Sequence, residues 1–225
     1  MRIKLDNVSK SYISGKKSIK AIDNVSIEFD RGLHVITGGN ASGKSTLIRL
    51  IAGISRPDHG VISVGKYRLN IDCNNECLSM LRREYIGFMP QTLMVPKSME
   101  AEKACGLPLI LKNVNGWREV VHMYFEEFGL KDCMGRKGGE LSVGQRQRIA
   151  FIRSIIFNPP ILLLDEPFSH QDEDSVRKIV EFLNSISNDK IIILATPDLT
   201  LLKVYRLKID RIISLFRGRI RSITD

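Results

Sequence analysis

The stretch Gly38-Gly39-Asn40-Ala41-Ser42-Gly43-Lys44-Ser45 fits the pattern G-x-x-x-x-G-K-[ST] at every fixed position, and its flanks decide what the match is worth. Before it stands Leu33-His34-Val35-Ile36-Thr37, a nearly continuous apolar run of strand length; after it Thr46, Leu47, Leu50 and Ile51 recur at helical spacing. Strand, glycine-rich turn and helix, in that order, are the setting in which this pattern cradles phosphate. The glycines let the backbone curl so that successive N–H groups converge on phosphate oxygens, and the helix adds the partial positive charge of its N-terminus. The pattern assigns Lys44 a point charge toward the β- and γ-phosphates and the Ser45 hydroxyl a bond to Mg²⁺.

Further along, Ile161-Leu162-Leu163-Leu164-Asp165-Glu166 delivers two carboxylates at the carboxyl end of an apolar strand, where open α/β sheets bind ligands. Asp165 is the natural holder of Mg²⁺, and Glu166 is placed to polarise a water for attack on the γ-phosphate. The two motifs together identify a P-loop nucleoside triphosphatase.

The rest of the chain arranges itself around this pair. Ile3/Leu5 and Val25/Ile27/Phe29 alternate as two strands across a polar loop at 14–17, a small antiparallel β segment. Strands are also predicted at 60–64 and 85–89. From 92 to about 157 the β signals give way to helical spacing, as in Trp117, Val120, Val121, Tyr124, Phe125 and Phe128. Pro159-Pro160 halts that run, and a βαβ rhythm returns: a strand at 161–164, a helix at 173–187, strands at 191–195 and 211–216, and a short helix near 199–205. Apolar strands flanked by helices imply a parallel sheet covered on both faces. We therefore expect one α/β domain over 1–225, with a core and β subdomain at 1–91 and 158–225 and an inserted helical subdomain at about 92–157.

Composition bounds the function. In 225 residues, 43% are hydrophobic and 26% charged, ordinary for a globular chain and far from a disordered one. No apolar run approaches the roughly 20 residues that span a bilayer. The charged N-terminus lacks a secretory apolar region, so a cytosolic location is expected. Cys73, Cys77, Cys105 and Cys133 are too few for a disulfide framework and complete no zinc pattern; four reduced thiols are expected. The net charge of +9 suits nucleic acid, a membrane surface or a polyphosphate equally.

Leu141-Ser142-Val143-Gly144-Gln145 identifies the kind of P-loop protein. Ser142 and Gln145 have capping-box spacing, and Ile149, Ile152 and Ile156 mark the buried face of the helix they start. The stretch also resembles, at four positions of five, the L-S-G-G-Q signature of the ATP-binding cassette (ABC) family. The resemblance runs over residues 8–218 and implies an ABC-type nucleotide-binding domain without a transmembrane part. It implies that Ser142 and the Gly144 amide, with Leu141, Val143 and Gln145, face a partner subunit's nucleotide across a dimer. It implies that Tyr12 stacks on adenine, that Gln91 in Phe88-Met89-Pro90-Gln91 touches Mg²⁺ and the attacking water, and that Asp172 lies in the loop after the Asp-Glu pair. The alternative readings are a solvent-facing strand tyrosine for Tyr12 and an exposed loop glutamine for Gln91. Arg82-Arg83-Glu84-Tyr85-Ile86-Gly87-Phe88 and Leu107-Pro108-Leu109-Ile110-Leu111 look most like subunits of lipoprotein-release, macrolide-export and cell-division complexes.

The expected cofactors are ATP and Mg²⁺. The expected partners are a second ATP-binding subunit, the same chain or a homologue, and a separate membrane permease, with no nucleic acid. Met94, Met99 and Leu107 are candidate permease contacts or, alternatively, core residues. One position breaks the family pattern. After the strand at 191–195 the family shows T-H-D, and this chain reads Thr196-Pro197-Asp198. Proline has neither an imidazole nor a backbone N–H, and losing a positioned contact to the transferred phosphoryl group typically costs about 10²-fold in rate. Slow hydrolysis is therefore expected, unless a more complete partner subunit or another group such as His170 compensates. Val143, in place of the family glycine, adds β-branched bulk beside the phosphate-facing turn. A regulatory subunit that barely hydrolyses and a soluble ABC ATPase acting on nucleic acid are the alternative functions.

Overall fold

The computed structural model describes residues 1–225 except Lys16, Leu93 and Met94, so the expected permease contact at Met94 lies outside the described residues. Ten strands and seven α-helices are described: β1 (Ile3–Ser14), β2 (Lys17–Phe29), β3 (Gly32–Thr37), α1 (Lys44–Ile51), β4 (His59–Val64), β5 (Tyr67–Arg68), α2 (Asn75–Tyr85), β6 (Ile86–Met89), α3 (Ala101–Leu111), α4 (Trp117–Glu127), α5 (Val143–Ile155), β7 (Ile161–Asp165), α6 (Glu173–Ile186), β8 (Ile191–Ala195), α7 (Thr200–Val204), β9 (Arg211–Phe216) and β10 (Arg219–Thr224). The strands form two sheets. An antiparallel one has the order β2-β1-β4-β5, and a six-stranded one has the order β10-β9-β3-β8-β7-β6, parallel except at β10.

The six-stranded sheet is covered on both faces, as its apolar strands predict. Side chains alternate along a strand, so Leu162 and Leu164 of β7 join one apolar layer while Ile161 and Leu163 join the other. The first layer includes Phe125 and Phe128 beside Ile149, Phe151 and Ile152 of α5; the second fills the space between this sheet, α1 and the antiparallel sheet with Ile3, Leu5, Phe29, Leu47 and Ile48. Phe151 stacks edge-on against Phe128 and Phe182, with ring centroids 5.5 and 6.0 Å apart.

Several expectations are corrected. Cys73 and Cys77 are joined in a disulfide rather than left as thiols. Asn74 caps α2 by accepting the Cys77 N–H at 2.9 Å, and this turn folds Cys73 back over the first turn of the helix, with Cα atoms 5.1 Å apart. Cys105 and Cys133 are free and buried. Helix α2 and strands β5 and β10 were not foreseen. Met99 is half-buried and packs against the core, the alternative given for it. No helix among the described residues is long and apolar enough to cross a membrane.

Phe151→Ala removes a side chain with 0% exposure from the centre of the aromatic cluster. It is expected to cost about 3–5 kcal/mol of stability, measured by chemical denaturation.

Candidate nucleotide site

Two glycines set the shape of the loop between β3 and α1. Gly38 has φ 149° and Gly43 φ 108°, and an added Cβ would lie 2.3 Å from the Leu215 carbonyl at the first and 2.4 Å from the Ala21 carbonyl at the second. Gly39, by contrast, faces open space. The loop is braced from behind: the Gly218 N–H, in the turn between β9 and β10, donates to the Ser42 carbonyl at 2.9 Å, and the Gly218 carbonyl accepts from the Asp23 N–H at 2.9 Å. Helix α1 starts after Gly43 with no side-chain cap bond and no acidic residue in its first turn. Its positive end is thus left for an anion. Lys44 is 5% exposed, and its Nζ donates to the carbonyls of Gly38 (2.8 Å) and Gly39 (3.0 Å).

Two strands away from β3, Asp165 ends β7. It is 1% exposed, and the Ser45 hydroxyl donates to its Oδ1 at 3.1 Å. Its Oδ2 is buried without a partner. Burial raises the Asp165 pKa above its ordinary value; the Ser45 hydrogen bond opposes that shift, and the neighbouring Glu166 charge adds to it. An orphaned carboxylate oxygen next to a hydroxyl is a hard-oxygen donor set suited to Mg²⁺. A cavity of about 340 Å³ opens here, lined by residues 40–46 together with Ile19, Ala21, Gln91 and Glu166. Gln91 and Glu166 therefore share one cavity with the loop, as the sequence motifs imply.

The signature residues lie elsewhere. Ser142 and Gln145 form the predicted capping box: the Ser142 N–H donates to Gln145 Oε1 at 2.8 Å, and the Gln145 N–H donates to Ser142 Oγ at 3.2 Å. Ser142 and Val143 are exposed. None of residues 141–145 borders the nucleotide cavity of its own chain; Val143 borders a neighbouring one of about 290 Å³ with Gln91, Glu166 and His170. Tyr12 is 40% exposed and outside the lining, although its cross-strand partner Ile19 lies within it. The Tyr12 ring instead carries Lys10 Nζ 5.6 Å from its centroid. Asp172 caps α6 by accepting the Ser175 N–H at 2.8 Å and stands 3.5 Å from Arg148. Pro197 is exposed and borders neither cavity, while the Asp198 carboxylate accepts the Thr200 N–H at 2.7 Å.

Sequence reasoning missed the Gly218 brace and the buried Gln147, whose amide reaches the Glu166 carbonyl. Both partners are distant in sequence, so no local pattern marks them. A second cavity, a groove of about 710 Å³, is lined by apolar side chains such as Leu107, Pro108 and Phe88 with Arg82, Arg83 and Arg153. Of the described permease candidates, only Leu107 lies in it. It brings no carboxylate to the loop, so the smaller cavity is the candidate chemical site.

Residues 22–169 match the family model described as ABC transporter. This chain belongs to the ABC transporter ATP-binding family. Among relatives, it is 30% identical to the ABC transporter ATP-binding protein MJ0796 of Methanocaldococcus jannaschii, over 97% of this chain and 94% of that one. It is 30% identical to the lipoprotein-releasing system ATP-binding protein LolD of Buchnera aphidicola, over 89% and 90%. It is 33% identical to the macrolide export ATP-binding/permease protein MacB of Bdellovibrio bacteriovorus, over 85% of this chain but only 30% of that protein. The dimeric structure of the MJ0796 cassette superposes with a TM-score of 0.89 at 30% identity, covering 99% of this chain and 98% of that one. A post-hydrolysis dimer of the same cassette, bound to ADP and phosphate, superposes at 0.88. The fold is thus the ABC-type P-loop NTPase fold.

Gly38→Ala and Gly43→Ala are each expected to weaken ATP binding roughly tenfold or more through backbone strain and collision, whereas Gly39→Ala stays within about threefold; equilibrium titration with a fluorescent ATP analogue separates them. For Asp165, the folded chain holds its proton to higher pH than the unfolded chain, so stability falls as pH rises between the ordinary and the raised pKa and stays lowered above. Asp165→Asn is therefore expected to raise the melting temperature at neutral pH while abolishing the Mg²⁺ dependence of nucleotide binding; calorimetry with and without Mg·ATP reads both.

Proposed function

We propose that this ABC protein is the ATP-binding and ATP-hydrolysing subunit of a transport complex, closing on a second such subunit when ATP binds and driving a separate membrane permease. One observation carries the proposal: Glu166 and Gln91 line the same cavity as residues 40–46, while the signature residues 141–145 stand outside it. Each chain thus supplies half of what a site needs. Two chains meeting head to tail sandwich each nucleotide between the loop of one and the signature helix of the other. The dimeric cassettes among its structural relatives support that arrangement.

Within a composite site, the loop amides and the α1 N-terminus hold the phosphates, and Lys44 turns its ammonium from the Gly38 and Gly39 carbonyls toward them. Ser45, Asp165 and Gln91 hold Mg²⁺. When bound, the cation neutralises charge on the phosphate oxygens. Glu166 accepts the proton of the attacking water, Tyr12 packs on the base from the rim, and the loop containing Asp172 borders the partner. Ser142 and the Gly144 amide reach the other chain's nucleotide, with Leu141, Val143 and Gln145 forming the turn that presents them.

The 710 Å³ groove lies among α2, β6, α3 and α5. Strand β6 leads through Pro90 directly to Gln91, so a permease segment seated in the groove senses the nucleotide through that strand, with the helices of 92–157 as the lever. On this reading the protein works at the cytoplasmic face of a membrane through its partner. The relatives named for lipoprotein release and macrolide export support this class of complex. Pro197 favours a second reading, a slow or regulatory subunit paired with a more active homologue.

Steady-state ATP hydrolysis by the purified chain tests the proposal. Wild type is expected to turn over slowly, Glu166→Gln to abolish turnover, and Pro197→His to raise kcat by roughly tenfold or more. Turnover insensitive to Glu166→Gln overturns the catalytic assignment. Silence of both wild type and Pro197→His, with permease supplied, favours the regulatory reading. Pull-down by nucleic acid rather than by a membrane fraction points instead to a soluble ATPase.

A further inference from the structure

Glu166 has an unusual backbone. Its φ is 54°, a left-handed conformation that is sterically unfavourable for a non-glycine residue. Pro167 follows it, and the residue before proline is pushed toward extended backbone. Such a conformation persists only where surrounding contacts over-determine it. Here the contacts are visible. The Glu166 N–H donates to the Ala195 carbonyl at the end of β8, at 2.9 Å. Its carbonyl accepts from Gln147 Nε2 at 3.0 Å and from Ser169 Oγ at 3.0 Å, and Gln147 Nε2 also donates to Ser169 Oγ at 2.9 Å.

Gln147 is 2% exposed on the inner side of α5, the helix that begins with the signature turn. A buried amide at that place is costly unless its hydrogen bonds are made, and its donors are committed to the turn that carries Glu166. The same helix touches the same loop at a second point. A Cβ on Gly144 would lie 2.7 Å from the His170 carbonyl, and Gln171 Nε2 reaches the Gly144 carbonyl at 3.4 Å.

We propose that Gln147 is a positioning residue for hydrolysis: through the Glu166 carbonyl it holds the left-handed turn that aims the Glu166 carboxylate into the nucleotide cavity, and so makes that aim depend on the position of the signature helix. The inference rests on Glu166 acting as the base. Its consequence is directional. When the exposed end of α5 engages the partner's nucleotide, a shift of the helix reaches the turn of the same chain's own base through the Gln147 amide, so the two composite sites are linked within each chain.

Gln147→Met keeps length and burial but removes the donor. It is expected to lower kcat roughly 10- to 100-fold while leaving the KM for ATP and the melting temperature near wild type. Gln147→Glu supplies an isosteric side chain that donates only when protonated, so its kcat relative to wild type is expected to rise as pH is lowered from 8 to 6, a signature that loss of packing does not produce. Wild-type kcat in Gln147→Met, or a parallel loss of kcat, ATP affinity and melting temperature with a flat pH ratio in Gln147→Glu, overturns the proposal. If Gln147→Met fails to fold, the pH ratio of Gln147→Glu decides alone. Glu166→Gln, run alongside, separates the two levels: full turnover there removes the base on which the inference rests, whereas loss there with normal turnover in Gln147→Met removes only the role of Gln147.

Discussion

Strand β8 lies between β3 and β7 with all five of its residues buried, and most of what the site does depends on that placement. Register aligns Ile36, Ala195 and Asp165 in one row across the three strands. With strands about 4.8 Å apart, β3 and β7 are separated by roughly 10 Å, and the loop after Thr37 crosses this gap to bring Ser45 to Asp165. Because the strands are buried on both faces, a one-residue slip would exchange the two apolar layers. The register is thereby fixed, and with it the distance between the phosphate loop and the acidic pair.

That rigidity lets the site hold groups which the fold alone would disfavour. Asp165 is buried with one oxygen unpartnered, an arrangement that lowers stability and raises its pKa. Lys44 is buried against carbonyls, and Glu166 adopts left-handed backbone ahead of a proline. Each is locally unfavourable, and each lies at the carboxyl edge of the sheet. The compensating stability comes from the apolar layers on either side, so the binding groups are preset by packing remote from them.

Much of this was legible in the sequence because it is local. The phosphate loop needs glycine at Gly38 and Gly43 and a helix start at Lys44, all within a few residues. The capping box of Ser142 and Gln145 is equally local, and its bonds form as the spacing predicts. Helix α2 was missed although it has an apolar face, Leu78 and Leu81 buried with Cys77, Met80 and Tyr85 packed beside them, because charged and polar residues fill the rest of the helix and leave it hydrophilic on average. Strand β10 was missed because it is an edge strand with almost every side chain exposed, formed by pairing with β9 and not by its own pattern. The Cys73–Cys77 bond depends on the Asn74 cap of that unforeseen helix.

By itself, then, the sequence determined the P-loop class, the two-faced parallel sheet, the phosphate-binding loop with its acidic partner, and the signature helix with its cap. Periodicity and capping act over one or two turns of chain, and such signals survive in a linear reading. Only the tertiary structure showed the cavity that Gln91 and Glu166 line with the loop, the position of residues 141–145 outside it, and the contacts by which Gly218 and Gln147 hold the site from behind. Those contacts join residues far apart in sequence. Their geometry follows from how the sheet, its two apolar layers and the helices pack, which no short stretch of residues encodes.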